Sequence, residues 1–213
     1  MKKILIATTN PGKVMTAKKI LERLGYEGVS FADLDLHLKE PEETKLTAEE
    51  IATEKALGYA KQFSEFPVLA RDDMNILVGV NEEDDPKNHN KEFVARKMGS
   101  YSDKNGEKVF SEIAHKYGGE VSTQFLWGYA IAWHEDGDTK VVSGLAQTDI
   151  EKIKIVDQIS PKKVPGFCFS PVTKVLIDDE WKFDSELSEE DNWKAYWNLQ
   201  AETIKDLLNQ TNY

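Results

Sequence analysis

The sequence predicts an α/β fold: a mixed central sheet flanked by helices, with an antiparallel lobe and a cleft between the lobes. Three observations point there. Two apolar runs, "KILIAT" (3–8) and "FPVLA" (66–70), each pass directly into a polar cluster, "TNPGK" and "RDDMN". Apolar positions at helical spacing lie between them, so strands and helices alternate. After Thr123, "TQFLWGYAIAW", "TKVVSGLAQTDI" and "EKIKIV" read as successive strands. The 213 residues are long enough to bury one substantial core, and residues 1–213 are expected to form a single domain.

Residues 3–8 read as a buried strand, and after Asn10-Pro11-Gly12-Lys13 the positions Val14, Ala17, Ile20, Leu21 and Leu24 mark a helix that Gly25 ends. A short strand near "EGVSF" (27–31) and an acidic stretch, "KEPEETK" (39–45), lead to Thr47. Thr47 reads as an N-cap with Glu50 as its capping-box partner, opening a helix from about Ala48 to Phe63. "FPVLA" is the second buried strand. "NEEDDPKNHNKE" (81–92) reads as a solvated charge run and "SDKNGEK" (102–108), with its Asn-Gly turn signal, as a surface loop. The three later strands, the first two joined by "HEDGD" (134–138), fit an antiparallel meander. From Ser188 a Ser-x-x-Asp cap opens a closing amphipathic helix.

A formal net charge of -11 argues against a binder of polymeric nucleic acid, which needs a basic face to displace counterions. If phosphate is a ligand, a metal is expected to help. One cysteine, Cys168, gives no intrachain disulfide, so the reducing cytoplasm is the expected location. No stretch approaches the roughly 18 to 20 apolar residues that span a bilayer, so no membrane partner is expected. Cys168 reads as a small buried hydrophobe, and His37, His89, His115 and His134 lack ligand spacing or a nucleophile partner.

Ligands of such sheets gather at the carboxyl ends of the strands, where both polar clusters sit. Thr8, Thr9 and Asn10 can donate hydrogen bonds to phosphate oxygens, Gly12 permits close approach, and Lys13 adds a point charge at a helix N-terminus. The alternative is a plain Asn-Pro-Gly turn followed by a solvated lysine. The segment lacks the two glycines and the Lys-Ser/Thr of the Walker loop. Asp72 and Asp73 follow the second strand, and Glu42 and Glu43 precede the cap of the helix that leads to it. Carboxylates with water and substrate phosphates are what Mg²⁺ demands, and one beside the metal can activate a water. Glu42 and Glu43 read equally as a solvated face.

In order and spacing these pieces resemble the inosine triphosphate pyrophosphatase family, which removes non-standard purine nucleoside triphosphates. "ILIATTNPGKV" resembles its "ATGNPGK" phosphate loop, and "EETKLTAEEIATEKA" its Glu-Thr-Gly-x-Thr-Phe-x-Glu-Asn-Ala-x-x-Lys-Ala helix entry, with Lys55 at the helical lysine. "FPVLARDD" is similar to its Pro-Val-x-Ala-Asp-Asp-Ser-Gly-Leu strand, and ungapped matching from Pro67 puts Asp72 on the metal-binding, water-activating aspartate. The resemblance implies triphosphate held by Thr8, Asn10, Lys13 and Lys55, Mg²⁺ on Glu42 or Glu43 with Asp72, attack of water on the α-phosphorus, and a homodimer; Thr9 and Asp73 are further candidate substrate contacts, although Asp73, Met74 and Asn75 replace the family's Ser-Gly-Leu.

The departures cluster at the base end. The family's Phe-Gly-Tyr-Asp-Pro is Phe167-Cys168-Phe169-Ser170-Pro171 here, so a carboxylate becomes a hydroxyl. Its Ser-His-Arg is best matched by Tyr196-Trp197-Asn198, which removes an imidazole and a cation. The chain therefore resembles a divergent member with altered base selectivity, or a nucleotide-binding relative of weak turnover, or a hydrolase of another nucleotide. Phe167, Phe169, Ser170, Trp197 and Asn198 are the candidate base contacts, with the aromatics either stacking on a base or packing in the core.

Overall fold

The computed structural model describes residues 1–87, 90–165, 167–211 and 213. Asn88 and His89 of the charge run, Gly166 beside the candidate base loop, and Asn212 lie outside the described residues. In chain order the elements are β1 (Lys2–Ile6), α1 (Pro11–Arg23), β2 (Tyr26–Ser30), α2 (Ala48–Ala60), β3 (Val68–Leu77), α3 (Asn90–Met98), α4 (Asp103–Lys116), β4 (Glu120–Glu135), β5 (Asp138–Gln147), β6 (Ile153–Val156), β7 (Thr173–Ile177), β8 (Glu180–Phe183), α5 (Glu189–Asn192) and α6 (Asn198–Asn209). They form a mixed α/β protein of two compact units. The first comprises Met1–Asp73, Leu126–Ala146 and Trp197–Tyr213; the second comprises Met74–Phe125 and Gln147–Tyr196. The strands β3 and β4 run through both.

In the first unit the strand order is β2-β1-β3-β4, with β5 on β4. β1 is parallel to β2 and to β3, with Leu5 opposite Val68 and Ile6 opposite Leu69. Ile4, Leu5 and Ile6 are all buried, as expected of a strand covered on both faces. Asn10 caps α1, which buries Ala17, Ile20 and Leu21 and gives way to Gly25 at φ +85°. On α2 the small side chains Ala52, Ala56 and Ala60 lie against Leu5, Ala7, Val68 and Ala70, which seats this helix closely on the sheet. It ends at Ala60, three residues before the expected Phe63, yet Phe63 stays buried and meets Phe66 edge-on at 4.8 Å.

β3 corrects the sequence reading. The strand does not stop at Ala70 but continues through "RDDMN" to Leu77, so Asp72 and Asp73 are mid-strand residues. Alternation explains how polar residues are sustained there: Arg71 and Asp73, two apart, share a face and bond each other, while Asp72 turns to the other.

The second unit contains the antiparallel order β4-β6-β7-β8. The meander expectation is corrected here, because β6 pairs with β4 (Glu120 opposite Val156) rather than with β5. Thr148 ends the β5 ladder: its N–H donates to the Phe125 carbonyl and its hydroxyl accepts from the Phe125 N–H, both at 3.0 Å, before the turn at Ile150–Lys152. The unforeseen β7–β8 hairpin turns on Asp178 and Asp179, at φ 50° and 65°.

Two expected loops are also corrected. "SDKNGEK" forms the start of α4, capped by the Ser102 hydroxyl. A Cβ at Gly106 would sit 3.1 Å from the Cys168 side chain, so this glycine serves helix packing rather than a turn. In the charge run, Asp84 is buried, accepting from Lys97 (2.9 Å), Lys116 (2.6 Å) and the Tyr117 hydroxyl (3.0 Å). Phe93 and Phe110 stack at 5.9 Å in the core of α3 and α4. The closing helix has the foreseen Ser188–Asp191 capping box but is broken into α5 and α6 by a π turn at Trp193–Trp197. Among the described residues no helix is long and apolar enough to cross a membrane.

Candidate active site

The loop after β1 spends its backbone donors on itself. Pro11 has no N–H, Asn10 Oδ1 accepts from Gly12 N (2.9 Å) and Lys13 N (3.2 Å), and Val14 N donates to the Asn10 carbonyl. Thr8 Oγ1 accepts from Asn10 N at 3.2 Å. The first turn of α1 therefore offers an anion few backbone groups, which leaves the side chains of the loop as its candidate contacts. Of these, Thr8 is half-buried, Thr9 is exposed, and Lys13 is 17% exposed.

Lys13 Nζ lies 3.5 Å from Asp73 Oδ2, and Arg71 grips the same carboxylate through Nε (2.5 Å) and Nη2 (3.0 Å). Burial lowers the pKa of Lys13, opposed by the Asp73 charge. Burial would raise that of Asp73, but Arg71 and Lys13 outweigh it and hold the carboxyl below its ordinary value.

A second convergence surrounds Lys55. Its Nζ meets Glu43 Oε1 at 2.9 Å and Asp72 Oδ1 at 2.8 Å, with Lys55 and Asp72 each 14% exposed. Burial opposes the Lys55 charge, and Asp72 and Glu43 overcome it, leaving its pKa raised. The acidic segment is pinned to α2: Glu54 accepts from Thr44 N (2.8 Å), the Thr44 hydroxyl and Lys45 N. Pro41 packs where a Cβ on Gly58 would come within 2.5 Å, so only glycine admits this segment. The structure brings Glu43 to Asp72, whereas Glu42 is exposed.

Two carboxylates from separate elements directed at one cation fit the donor set of Mg²⁺, which commonly takes one or two carboxylates and completes its shell with waters and substrate phosphates. Among the described residues no group of three or more His, Cys, Asp or Glu is arranged to hold a metal by itself. Substrate oxygens would have to finish the shell.

Ala7, Thr8, Thr9, Lys13, Lys55 and Arg71 line a cavity of about 40 Å³. It admits little more than water. A larger hollow, about 910 Å³, opens in the second unit between Asn81–Lys87 and Glu92–Lys97. It is broad and its charges pair internally, Lys87 with Glu82 and Lys97 with Asp84, so the convergent chemistry of the smaller cavity carries the assignment.

The candidate base contacts are placed differently. In the second unit Ser170 is buried and its hydroxyl donates to Asp184, whose pKa is raised by burial. Phe169 packs against Phe110 with ring centroids 4.1 Å apart and the planes tilted by 40°, Phe167 is half-buried, and Tyr196 is buried with Phe125 at 6.2 Å. In the first unit Trp197 is buried and Asn198 exposed. The packing alternative thus describes Phe169, Tyr196 and Trp197 better than an open stacking face. Cys168 is buried, with its thiol pushed up to about 11 by desolvation. His134 Nε2 donates to the Ala60 carbonyl (2.8 Å) at the end of α2.

The sequence reading passed over Arg71, Tyr129 and Gln200. Gln200 Oε1 accepts from Arg71 Nη1 (3.2 Å) and from the Tyr129 hydroxyl (2.5 Å), tying α6 to β3 and β4. A signal was available: Arg-x-Asp in a strand places both side chains on one face.

A model of the Ham1 family matches residues 4–158. The dITP/XTP pyrophosphatase of Bacillus subtilis (strain 168) is 30% identical over 214 residues, covering 97% of this chain and 96% of the relative. That of Halalkalibacterium halodurans is 31% identical over 196 residues, covering 91% and 92%. Among solved structures, the Staphylococcus aureus Ham1 protein superposes with TM-score 0.64 at 22% identity over 98% of both chains. A HAM1 protein from Coxiella burnetii gives 0.65 at 19% identity over 99% and 100%. At these identities the structural likeness speaks for the fold.

Proposed function

The chain belongs to the Ham1 family, and from that premise we propose that it is a nucleoside triphosphate pyrophosphohydrolase, dependent on Mg²⁺, that releases pyrophosphate and a nucleoside monophosphate. The observation that carries this reading is the meeting of Glu43 and Asp72 on Lys55, in the unit that also sets Lys13 beside Arg71 and Asp73. The dITP/XTP pyrophosphatase names of the relatives support the reaction type.

Lys13 and Lys55 exchange their carboxylate partners for phosphate oxygens, assisted by the hydroxyls of Thr8 and Thr9, while Asn10 keeps the loop in shape as the helix cap. Glu43 and Asp72 would hold Mg²⁺, which when bound supplies neutralisation of phosphate charge and acidification of a water. Asp72 orients the attacking water and takes its proton as the water oxygen bonds to the α-phosphorus. The bond from the α-phosphorus to its bridging oxygen breaks, and pyrophosphate leaves with the electron pair.

Base selectivity is relaxed in this reading. Discrimination needs polar groups that the wrong base leaves unpaired, and such sites reject analogues by roughly 10⁴. Here Ser170 is committed to Asp184, and Tyr196 and Trp197 to packing. A homodimer in the cytoplasm completes the proposal.

The test is incubation with a panel of purine and pyrimidine triphosphates, with Mg²⁺ and with a chelator, following pyrophosphate. Release from inosine and adenosine triphosphates within about 10²-fold of each other, and none in chelator, is expected. Binding without release would identify a nucleotide-binding relative. A wider preference for inosine triphosphate would show that other residues read the base.

A further inference from the structure

In the strand motif Pro-Val-x-Ala-Asp-Asp, counted from Pro67, Arg71 stands at the first aspartate. A cation in place of an anion beside a phosphate cavity calls for a reason, and its surroundings supply one. The side chain is 9% exposed. Its Cζ lies 5.8 Å from the Trp127 ring and 5.9 Å from the Tyr129 ring, and Nη1 reaches Gln200. The remaining edge of the guanidinium fork closes on both oxygens of Asp73. Burying an ion pair seldom adds stability over apolar packing of the same volume, so stability alone does not account for it.

Asp73 Oδ2 is shared. Arg71 Nη2 holds it at 3.0 Å and Lys13 Nζ faces it at 3.5 Å, beyond the roughly 2.7 to 2.9 Å of a full charge-assisted hydrogen bond. With the fork occupying the carboxylate, Lys13 is attracted but not captured. Without it, Lys13 would be the remaining partner of Asp73 among the described residues, and the two would close into a tight pair that competes with phosphate.

We propose that Arg71 is a positioning residue for phosphate recognition: held by Trp127, Tyr129 and Gln200, it occupies Asp73 so that Lys13 stays available to the triphosphate. The inference rests on the phosphate-site reading above, and it concerns binding rather than turnover.

The test is calorimetric titration of the full chain with inorganic tripolyphosphate in Mg²⁺, using variants that leave net charge unchanged. Arg71→Lys keeps the charge but not the two-pronged grip, and affinity should fall by about 5-fold or more. Arg71→Gln combined with Asp73→Asn removes clamp and competitor together, and affinity should stay within about 3-fold of the parent. Thermal melts establish that each variant is folded, and a purely structural Arg71 would alter melting while leaving the affinity of the folded protein unchanged. Unaltered affinity in Arg71→Lys, or a loss in the double variant as large as in Arg71→Lys, would overturn the proposal; the latter would mean that Arg71 acts on the ligand itself. Failure of the parent protein to bind tripolyphosphate would remove the phosphate-site reading as well, which separates the two failures.

Discussion

Asp84 of the second unit and Asp73 of the first are both carboxylates served by two cations, yet they differ in how far they are spent. Asp84 is 5% exposed and takes Lys97, Lys116 and Tyr117 at 2.6 to 3.0 Å. Asp73 is 27% exposed, closed by Arg71 on one side and only loosely faced by Lys13 on the other. Asp72, by contrast, is bonded to Lys55 at 2.8 Å, a lysine it shares with Glu43. A saturated carboxylate fixes the chain around it, whereas a partly spent one keeps a cation within reach of a ligand. In the proposed reading the same residue types serve structure in one unit and recognition in the other.

Removing Asp72 is the harshest way to sharpen that contrast. Asp72→Asn should lower turnover by at least roughly 10²-fold in steady-state pyrophosphate release, the usual scale for a positioned acid–base group. Asp84→Asn should leave kcat/KM of the folded protein within about 2-fold. Equal loss in both would erase the distinction.

Next in size is Lys13→Ala. Charge-assisted hydrogen bonds contribute roughly 1.5 to 3 kcal/mol, so triphosphate should bind about 10- to 10²-fold more weakly while the nucleoside is unaffected. Lys116→Ala, at the saturated cluster, should change neither affinity in the same calorimetric titrations. Equal weakening of triphosphate and nucleoside in Lys13→Ala would put that lysine outside the phosphate site.

The smallest effect is on stability and pH. Burial alone would raise the pKa of Asp84, but Lys116, Lys97 and Tyr117 bring it down to about 2 from 3.8. A lowered folded-state value gives stabilisation that is complete above the unfolded pKa and lost as pH falls through the folded one. Asp84 should thus contribute about 2 kcal/mol at neutral pH, declining between about pH 4 and pH 2. Chemical denaturation of the parent and Asp84→Asn should give curves that converge across that range. A gap independent of pH would contradict it.

How much of this the sequence disclosed varied with how local the cause was. The loop from β1 to α1, Gly25 after α1, and the Thr47 and Ser188 caps were legible because each is set by neighbours within a few residues. The run of β3 through Arg71, Asp72 and Asp73 was not, because polar residues look like a strand's end until their partners, Lys13 and Lys55 on other elements, are known. Gly106 hid α4 for a similar reason, its need arising from Cys168 far along the chain. The pairing of β6 with β4 depended on Thr148 meeting Phe125, which no periodicity reveals. Lys13, Asp72 and Asp73 could be picked out by type and position, and Lys55 only through the family resemblance. Tyr129 and Gln200 could not, since their connection to Arg71 exists only once α6 has come back to β3, and Arg71 was signalled only by its Arg-x-Asp spacing.

The most direct measurement of the central claim, that this site directs water to the α-phosphorus, is hydrolysis of a nucleoside triphosphate in ¹⁸O-labelled water with mass analysis of both products. The account predicts the label in the nucleoside monophosphate and none in the pyrophosphate. Label in pyrophosphate, or release of labelled orthophosphate, would place the attack at another phosphorus and contradict it.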